Sequence, residues 1–178
     1  MSKPLVLHQG RHLAFLSRDG WEYVEHRTAP EAAMVVALTP VGEVVLVEEF
    51  RPALNAPVVS LPSGLIGDEG PESAEDAARR ELLEETGYAA ARFERLGRGP
   101  GSAGQSSELV TFFLARGAAP AGEQAAHDAG KIRVHLVSLR ELAAWAGRAE
   151  SGGALVDPKL YAGLFLAERA APAYFTAR

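Results

Sequence analysis

The chain has 178 residues, a formal net charge of −5 at pH 7 and no cysteine. One domain of this length has room for a substantial core, and 47% hydrophobic with 23% charged residues is an ordinary globular balance. The acidic balance and the lack of a Lys/Arg-rich run argue against a nucleic-acid polymer or an anionic membrane surface as partner; the missing cysteines exclude disulfides, thiolate metal sites and a thiol nucleophile.

The opening MSKPLVLHQG has no long apolar run, so no signal peptide is read there. No stretch approaches the ~18 apolar residues of a membrane span, and a cytoplasmic location is the default expectation. Residues 11–17 and 21–26 read as two strands turning at Arg18-Asp19-Gly20, because Asp-Gly is a favoured hairpin turn. Such a hairpin buries too little to stand alone. It must dock, and Trp21 and Tyr23 are the aromatics available to pack in that contact. Ala33–Thr39 and Glu43–Glu48 form a second hairpin around Pro40-Val41-Gly42. Their continuous apolar runs predict strands buried on both faces. Val58–Leu61 is a short strand leading into Pro62-Ser63-Gly64.

A helix follows. Ser73 is its N-cap, with Asp76 three residues on as a capping box, and Gly87 ends it where a left-handed residue is wanted. Glu81, Glu84 and Glu85 fall within two turns. On a wheel of about 100° per residue, Glu85 lies ~40° to one side of Glu81 and Glu84 ~60° to the other. Ala74, Ala77 and Ala78 lie among them. The carboxylates therefore continue the small apolar face, whereas a solvated charged face would lie opposite it. Crowded carboxylates at a packed edge raise one another's pKa unless a cation neutralises them. Several carboxylate oxygens near one point suit a hard divalent cation such as Mg²⁺.

Ala91–Leu96 and Leu109–Ala115 read as strands, separated by the Gly/Ser-rich loop 97–107. Residues 117–130 read as a flexible loop of small residues, of the kind that often carries function. Ile132–Val137 is a strand. Ser138 is predicted to cap a helix over 139–147, with Glu141 completing a capping box. Asp157-Pro158 starts a last helix reaching about Arg169. The pattern is a mixed sheet with helices on its faces, α/β or α+β in class.

Glu72, seven residues, then Arg80-Glu81-Leu82-Leu83-Glu84-Glu85-Thr86-Gly87-Tyr88 resembles the Nudix hydrolase box. The family's glycine stands six residues before the first glutamate; here Gly64 stands eight before Glu72, a loop longer by two. From Trp21 to about Ala167 the chain resembles the ADP-ribose pyrophosphatase branch of that family. Phe50-Arg51-Pro52 and Leu61-Pro62-Ser63-Gly64 match landmarks of the branch. Ser60 stands where the branch has Glu, and Ala103-Gly104-Gln105-Ser106-Ser107-Glu108 replaces its Ser-Pro-Gly and Ser-Asp-Glu loop.

The resemblance implies a Nudix-type α/β/α sandwich (residues 31–178) behind an N-terminal β-hairpin extension (residues 1–30). It implies Mg²⁺, or Mn²⁺, held by Glu81 and Glu85, with Glu84 and the Ser63 carbonyl as further ligands. Arg80 would orient the carboxylates and Glu72 would brace the loop. Arg51 would bind a substrate phosphate; an ordinary salt bridge is the alternative. Trp21 would stack on a purine, with Glu22 accepting from its amino group. Glu108 and Asp128 compete as general base, and His127 beside Asp128 is a weaker candidate.

The implied reaction is hydrolysis of ADP-ribose to AMP and ribose 5-phosphate by a homodimer built through the N-terminal strands. Nucleotide sugars such as GDP-mannose, dinucleotides, or a non-catalytic nucleotide sensor are the alternatives. A serine hydrolase through Ser102 carries little weight, because the first glycine of G-x-S-x-G is absent.

Overall fold

A computed structural model describes residues 2–68, 70–125, 128 and 130–176. Strands β1 (Leu5–Gln9), β2 (Leu13–Arg18) and β3 (Trp21–His26) form an antiparallel three-stranded sheet. The β2–β3 turn is the Asp-Gly hairpin, with φ of 52° at Asp19 and 84° at Gly20, as the primed turns of such hairpins require. β1 was not expected. It is a five-residue run after Pro4 whose strand character comes from pairing with β2.

The main sheet contains β4 (Glu31–Leu38), β5 (Glu43–Arg51), β6 (Ala56–Ser60), β7 (Ser63–Leu65), β9 (Arg92–Pro100), β10 (Leu109–Arg116), β12 (Ile132–Ser138) and β13 (Leu155–Val156). Two short strands, β8 (Tyr88–Ala89) and β11 (Ala119–Pro120), pair with each other. Helices are α1 (Ala74–Thr86), α2 (Leu142–Ser151), α3 (Pro158–Ala170) and α4 (Pro172–Thr176). None of the described helices is long and apolar enough to cross a membrane.

Two features of β4 and β5 position the site. Their hairpin pairs only at Ala37↔Val45 and Leu38↔Val44, and then the strands part. β6 fills the gap on the β5 side, and β7 on the β4 side. Leu61 and Pro62 join β6 to β7, and Val35 N–H donates to the Pro62 carbonyl at 2.9 Å. The opened sheet thus brings Ser63 and Gly64 to its middle, facing α1.

The core has two layers, one on each face. Ala77, Ala78 and Leu82 of α1 pack on Ala33, Val35 and Phe113. Leu160 and Leu164 of α3, with Leu142 of α2, pack on Val36, Leu46 and Leu114. β4 is buried along its last six residues, as its unbroken apolar run predicted. This is the mixed α/β sandwich expected.

Several boundaries differ from the sequence reading. β9 runs through Gly97 and Gly99 to Pro100, paired with β10, so the Gly/Ser loop starts only at Gly101. Ser138 does not cap α2. It ends β12 opposite Glu43, and Leu139 N–H donates to the Gly42 carbonyl at 3.1 Å, which carries extended pairing onward. The helix therefore begins at Leu142, and Glu141 at its cap makes no side-chain capping bond. Of the 117–130 stretch, residues 119–125 are docked through β11 and through Ala121, Gly122 and Ala125.

The loop 101–107 ties the N-terminal sheet to the rest. Val24 N–H donates to the Gln105 carbonyl at 2.8 Å, Ser107 N–H to the Val24 carbonyl at 3.1 Å, and Trp21 Nε1 to the Gly104 carbonyl at 3.1 Å. Trp21 is not packed in a sheet interface; it remains 64% exposed.

Candidate active site

The site starts from the capping of α1. Ser73 Oγ accepts from Asp76 N–H at 3.1 Å, and Gly87, at φ 73°, returns its N–H to the Leu83 carbonyl at 2.7 Å. These local bonds fix the phase of the helix. Its buried stripe is Ala77, Ala78, Glu81, Leu82 and Glu85, with Thr86 at the end. Alanines let the first turns sit close to the sheet, so the next turn drives two carboxylates into the gap beside β7.

Gly64 is the reason Glu81 fits. A Cβ at Gly64 would fall inside the Glu81 carboxylate. Ser63 N–H donates to Glu85 Oε2 at 2.9 Å. Glu81 and Glu85 are 9% and 7% exposed. Burial pushes Glu85 up to about 8; the Ser63 N–H and Arg51 oppose this, while Glu81 and Asp128 add to it. Burial also pushes Glu81 up to about 7, opposed by Arg80.

Arg80 gathers the surrounding acids. Its Nη1 donates to Glu81 Oε1 at 2.7 Å and Glu84 Oε2 at 3.1 Å. Its Nη2 donates to Glu72 Oε1 at 3.0 Å, Asp68 Oδ1 at 3.3 Å and the Leu65 carbonyl at 3.1 Å, and its Nε to Glu72 Oε2 at 3.3 Å. The guanidinium beside it holds Glu72 below the usual carboxylate range, and the acids raise Arg80 in turn. Glu72 Oε1 also accepts from Gly67 N–H at 2.9 Å. The longer loop thus folds around Glu72, with Gly67 at φ 84°, and it contributes Asp68. Nothing in the sequence pattern marked Asp68, because its contact with Arg80 depends on the path of the loop.

A cleft of about 460 Å³ opens beside Ser63 and Gly64, and Arg51, Ser60, Glu108 and Lys159 also line it. That size suits a small organic ligand. Arg51 pairs with Glu49 at 2.9 Å and Lys159 with Asp157 at 2.7 Å. Lys159 is a cation that the sequence reading missed. Its one local signal was its place in the first turn after Asp157, whose side chain caps α3. A cleft of about 510 Å³ along β5 and β12 touches neither Ser63 nor Gly64.

The structure brings together Arg51, Ser63, Arg80, Glu81, Glu84 and Glu85, with Glu108 on the cleft wall and Asp128 acting electrically on Glu85. Trp21 and Glu22 stand on the exposed hairpin and do not line the cleft. His127 lies outside the described residues. Ser102 Oγ contacts Gln105 Oε1 at 3.4 Å, which gives it no base.

As a cation site the arrangement fits in part. Two buried carboxylates at raised pKa are a donor set that a divalent ion would relieve of its protons. Glu84 is turned to Arg80, and among the described residues no group of three acids or histidines is already arranged around one point.

A model of the NUDIX domain matches residues 28–157. The chain belongs to the NUDIX domain family. The Nudix match covers the whole opened sheet and α1. An ADP-ribose pyrophosphatase of Bacillus subtilis is 38% identical over 94 residues, 53% of this chain and 48% of that one. The chain thus spans about half the length of that relative. A putative nudix hydrolase 2 of Caenorhabditis elegans is 30% identical over 173 residues, 86% of this chain and 76% of that one. The crystal structure of an ADP compounds hydrolase is similar in fold, with a TM-score of 0.66 at 20% identity, covering 97% of this chain and 96% of that one.

Proposed function

We propose that this Nudix chain hydrolyses the diphosphate bond of a nucleoside diphosphate joined to a second moiety, with ADP-ribose the first substrate to test. The observation that carries the proposal is the pair Glu81 and Glu85, buried at raised pKa directly against Gly64 and Ser63, two residues that line a cleft also lined by Arg51 and Lys159. The activity named for the Bacillus relative, ADP-ribose pyrophosphatase, agrees with a nucleoside-diphosphate substrate.

In this reading Glu81 and Glu85 would hold a divalent cation, Mg²⁺ or Mn²⁺, with Glu84 and the Ser63 carbonyl as further ligands. When bound, such a cation would neutralise diphosphate charge and lower the pKa of a water. Arg51 and Lys159 bind phosphate oxygens, as cations do. Arg80, clamped by Glu72 and Asp68, keeps Glu81 in place. Asp128 takes the proton of the attacking water; its N–H is bonded to the Ala125 carbonyl and Ala125 N–H to the Glu84 carbonyl, which sets it beside the end of α1 that carries Glu85. The water oxygen joins one phosphorus, the bridging P–O bond breaks, and AMP and ribose 5-phosphate leave. Glu108, on the cleft wall, contacts the substrate. Pairing through the N-terminal sheet makes a homodimer and would bring Trp21 and Glu22 toward a neighbouring cleft.

A hydrolysis screen with Mg²⁺ over ADP-ribose, nucleotide sugars, dinucleotides and nucleoside triphosphates tests the proposal. It should release AMP from ADP-ribose, and activity should vanish in EDTA. Turnover unaffected by EDTA would refute the cation role. The engagement of Glu84 by Arg80 favours one other reading, a nucleotide sensor. Tight binding without turnover under both cations would establish that instead.

A further inference from the structure

An α-helix leaves its last carbonyls without intrahelical partners. In α1 the residues Ala121–Ala125 take most of them. Ala125 N–H donates to the Glu84 carbonyl at 2.9 Å, and Gln124 Nε2 to the Glu85 carbonyl at 2.6 Å. Ala121 and Gly122 N–H both donate to the Gly87 carbonyl, at 2.9 and 3.1 Å. A Cβ at Gly87 would lie 2.6 Å from the Gly122 carbonyl oxygen. The glycine that ends the box helix therefore also admits this segment.

Gln124 makes a second bond. Its Nε2 donates to the carbonyl of Ile132, the first residue of β12, at 3.2 Å. Both amide hydrogens are then used. Between Gln124 and Ile132 lies the turn that carries Asp128. Asp128 N–H donates to the Ala125 carbonyl at 2.9 Å, and the N–H groups of Lys131 and Ile132 donate to the Asp128 carbonyl at 2.9 and 3.0 Å. Gln124 is thus bonded at once to the helix that carries Glu85 and to the far end of the turn that carries Asp128.

We propose that Gln124 is a positioning residue, whose amide staples the Asp128 turn to the Glu85 backbone and so fixes Asp128 relative to the carboxylates of α1. This rests on the reading of Asp128 as the proton acceptor. The backbone bonds of Ala121, Gly122 and Ala125 would hold the segment against the helix without Gln124. The backbone path onward to β12 runs through Asp128 itself, from Ala125 to Asp128 to Ile132, whereas the amide joins the Glu85 and Ile132 carbonyls directly and so braces the two ends of the turn independently of Asp128. A displacement of about 1 Å in a reacting group can cost on the order of 100-fold in rate.

The test is a double-mutant cycle on single-turnover hydrolysis of ADP-ribose with Mg²⁺, using the parent, Q124M, D128N and the double variant, with thermal midpoints measured alongside. Methionine keeps the length and removes both donors. The single-turnover rate of Q124M is expected to fall ~10- to 100-fold with KM within ~3-fold, and the double variant to be no slower than D128N. An equal fold-loss in both backgrounds would mean that Gln124 acts as general scaffolding and would overturn the proposal. So would a Q124M rate within ~3-fold of the parent while D128N is impaired. A D128N rate near the parent would instead remove the reading of Asp128, and the staple's catalytic role with it. Should Q124M not fold, Q124N, with the donors on a shorter stem, goes through the same cycle with the same criteria.

Discussion

Glu81 and Glu85 continue a stripe that begins with two buried alanines, Ala77 and Ala78, in positions where an apolar side chain would bury without a desolvation penalty. Their native pKa values, about 7 and about 8, stand above the ordinary carboxylate value of 4.5. The native chain therefore holds protons that the unfolded chain has lost between about pH 4.5 and 8, and without a cation its stability falls as pH rises through that window. Urea unfolding in EDTA at several pH values should show that decline, and E85Q should flatten it. A slope unchanged by E85Q would refute the assignment. A divalent cation should restore more stability at pH 8 than at pH 6, because it binds the ionised form. Gly64 gives a second prediction at this scale. Its φ is not left-handed, so Gly64→Ala strains no backbone, yet the new methyl displaces the Glu81 carboxylate. Activity should fall at least ~100-fold, while stability changes by only about 1–3 kcal/mol, the usual range for overpacking. Retention of kcat in that variant would show that Glu81 is not needed where it sits.

The element scale separates what a sequence can carry from what it cannot. α1 was legible from Ser73 to Gly87 because both caps and the phase of its buried stripe are local. Glu81 and Glu85 were legible for the same reason. The end of β9, the start of α2 and the whole of β1 were not, because strand pairing with distant residues decides each. Asp68, Lys159 and Gln124 escaped notice likewise; each acquires its role from a contact made by the fold. Gly87 belongs to both kinds. Its cap was legible, but its contact with Gly122 was not. Gly87→Ala should therefore cost more than a cap alone. A left-handed alanine costs roughly 1–2 kcal/mol, and the contact at 2.6 Å must be relieved in addition. A urea midpoint shift corresponding to more than ~2 kcal/mol is expected, with loss of kcat as the 121–125 segment is pushed off. A shift no larger than the backbone term would show that the segment adapts freely.

At the scale of the whole molecule, the main sheet is covered on both faces, whereas the N-terminal sheet is covered on one. Ala14 and Leu16 of β2 face inward and are buried, while Leu13 and Phe15 alternate outward at 47% and 38% exposure. Leu5, opposite Ser17 in the register, joins them at 64%. Apolar side chains gathered on one face of a small sheet mark an interaction surface. A two-fold contact presents the same patch from both partners, and a surface built on paired strands can supply that without rearrangement. The chain should therefore sediment at twice its own mass at micromolar concentration, and Leu13→Asp with Phe15→Asp should reduce it to the monomer by placing like charges across the contact. Both substitutions point away from the folded core, so the thermal midpoint of the monomer tests whether the hairpin survives. A parent that already sediments as a monomer would remove the dimer and leave Trp21 and Glu22 without a cleft to serve. If the dimer does form, the monomeric variant should show a raised KM for ADP-ribose with little change in kcat, since Glu81, Glu85 and Arg80 all belong to one chain.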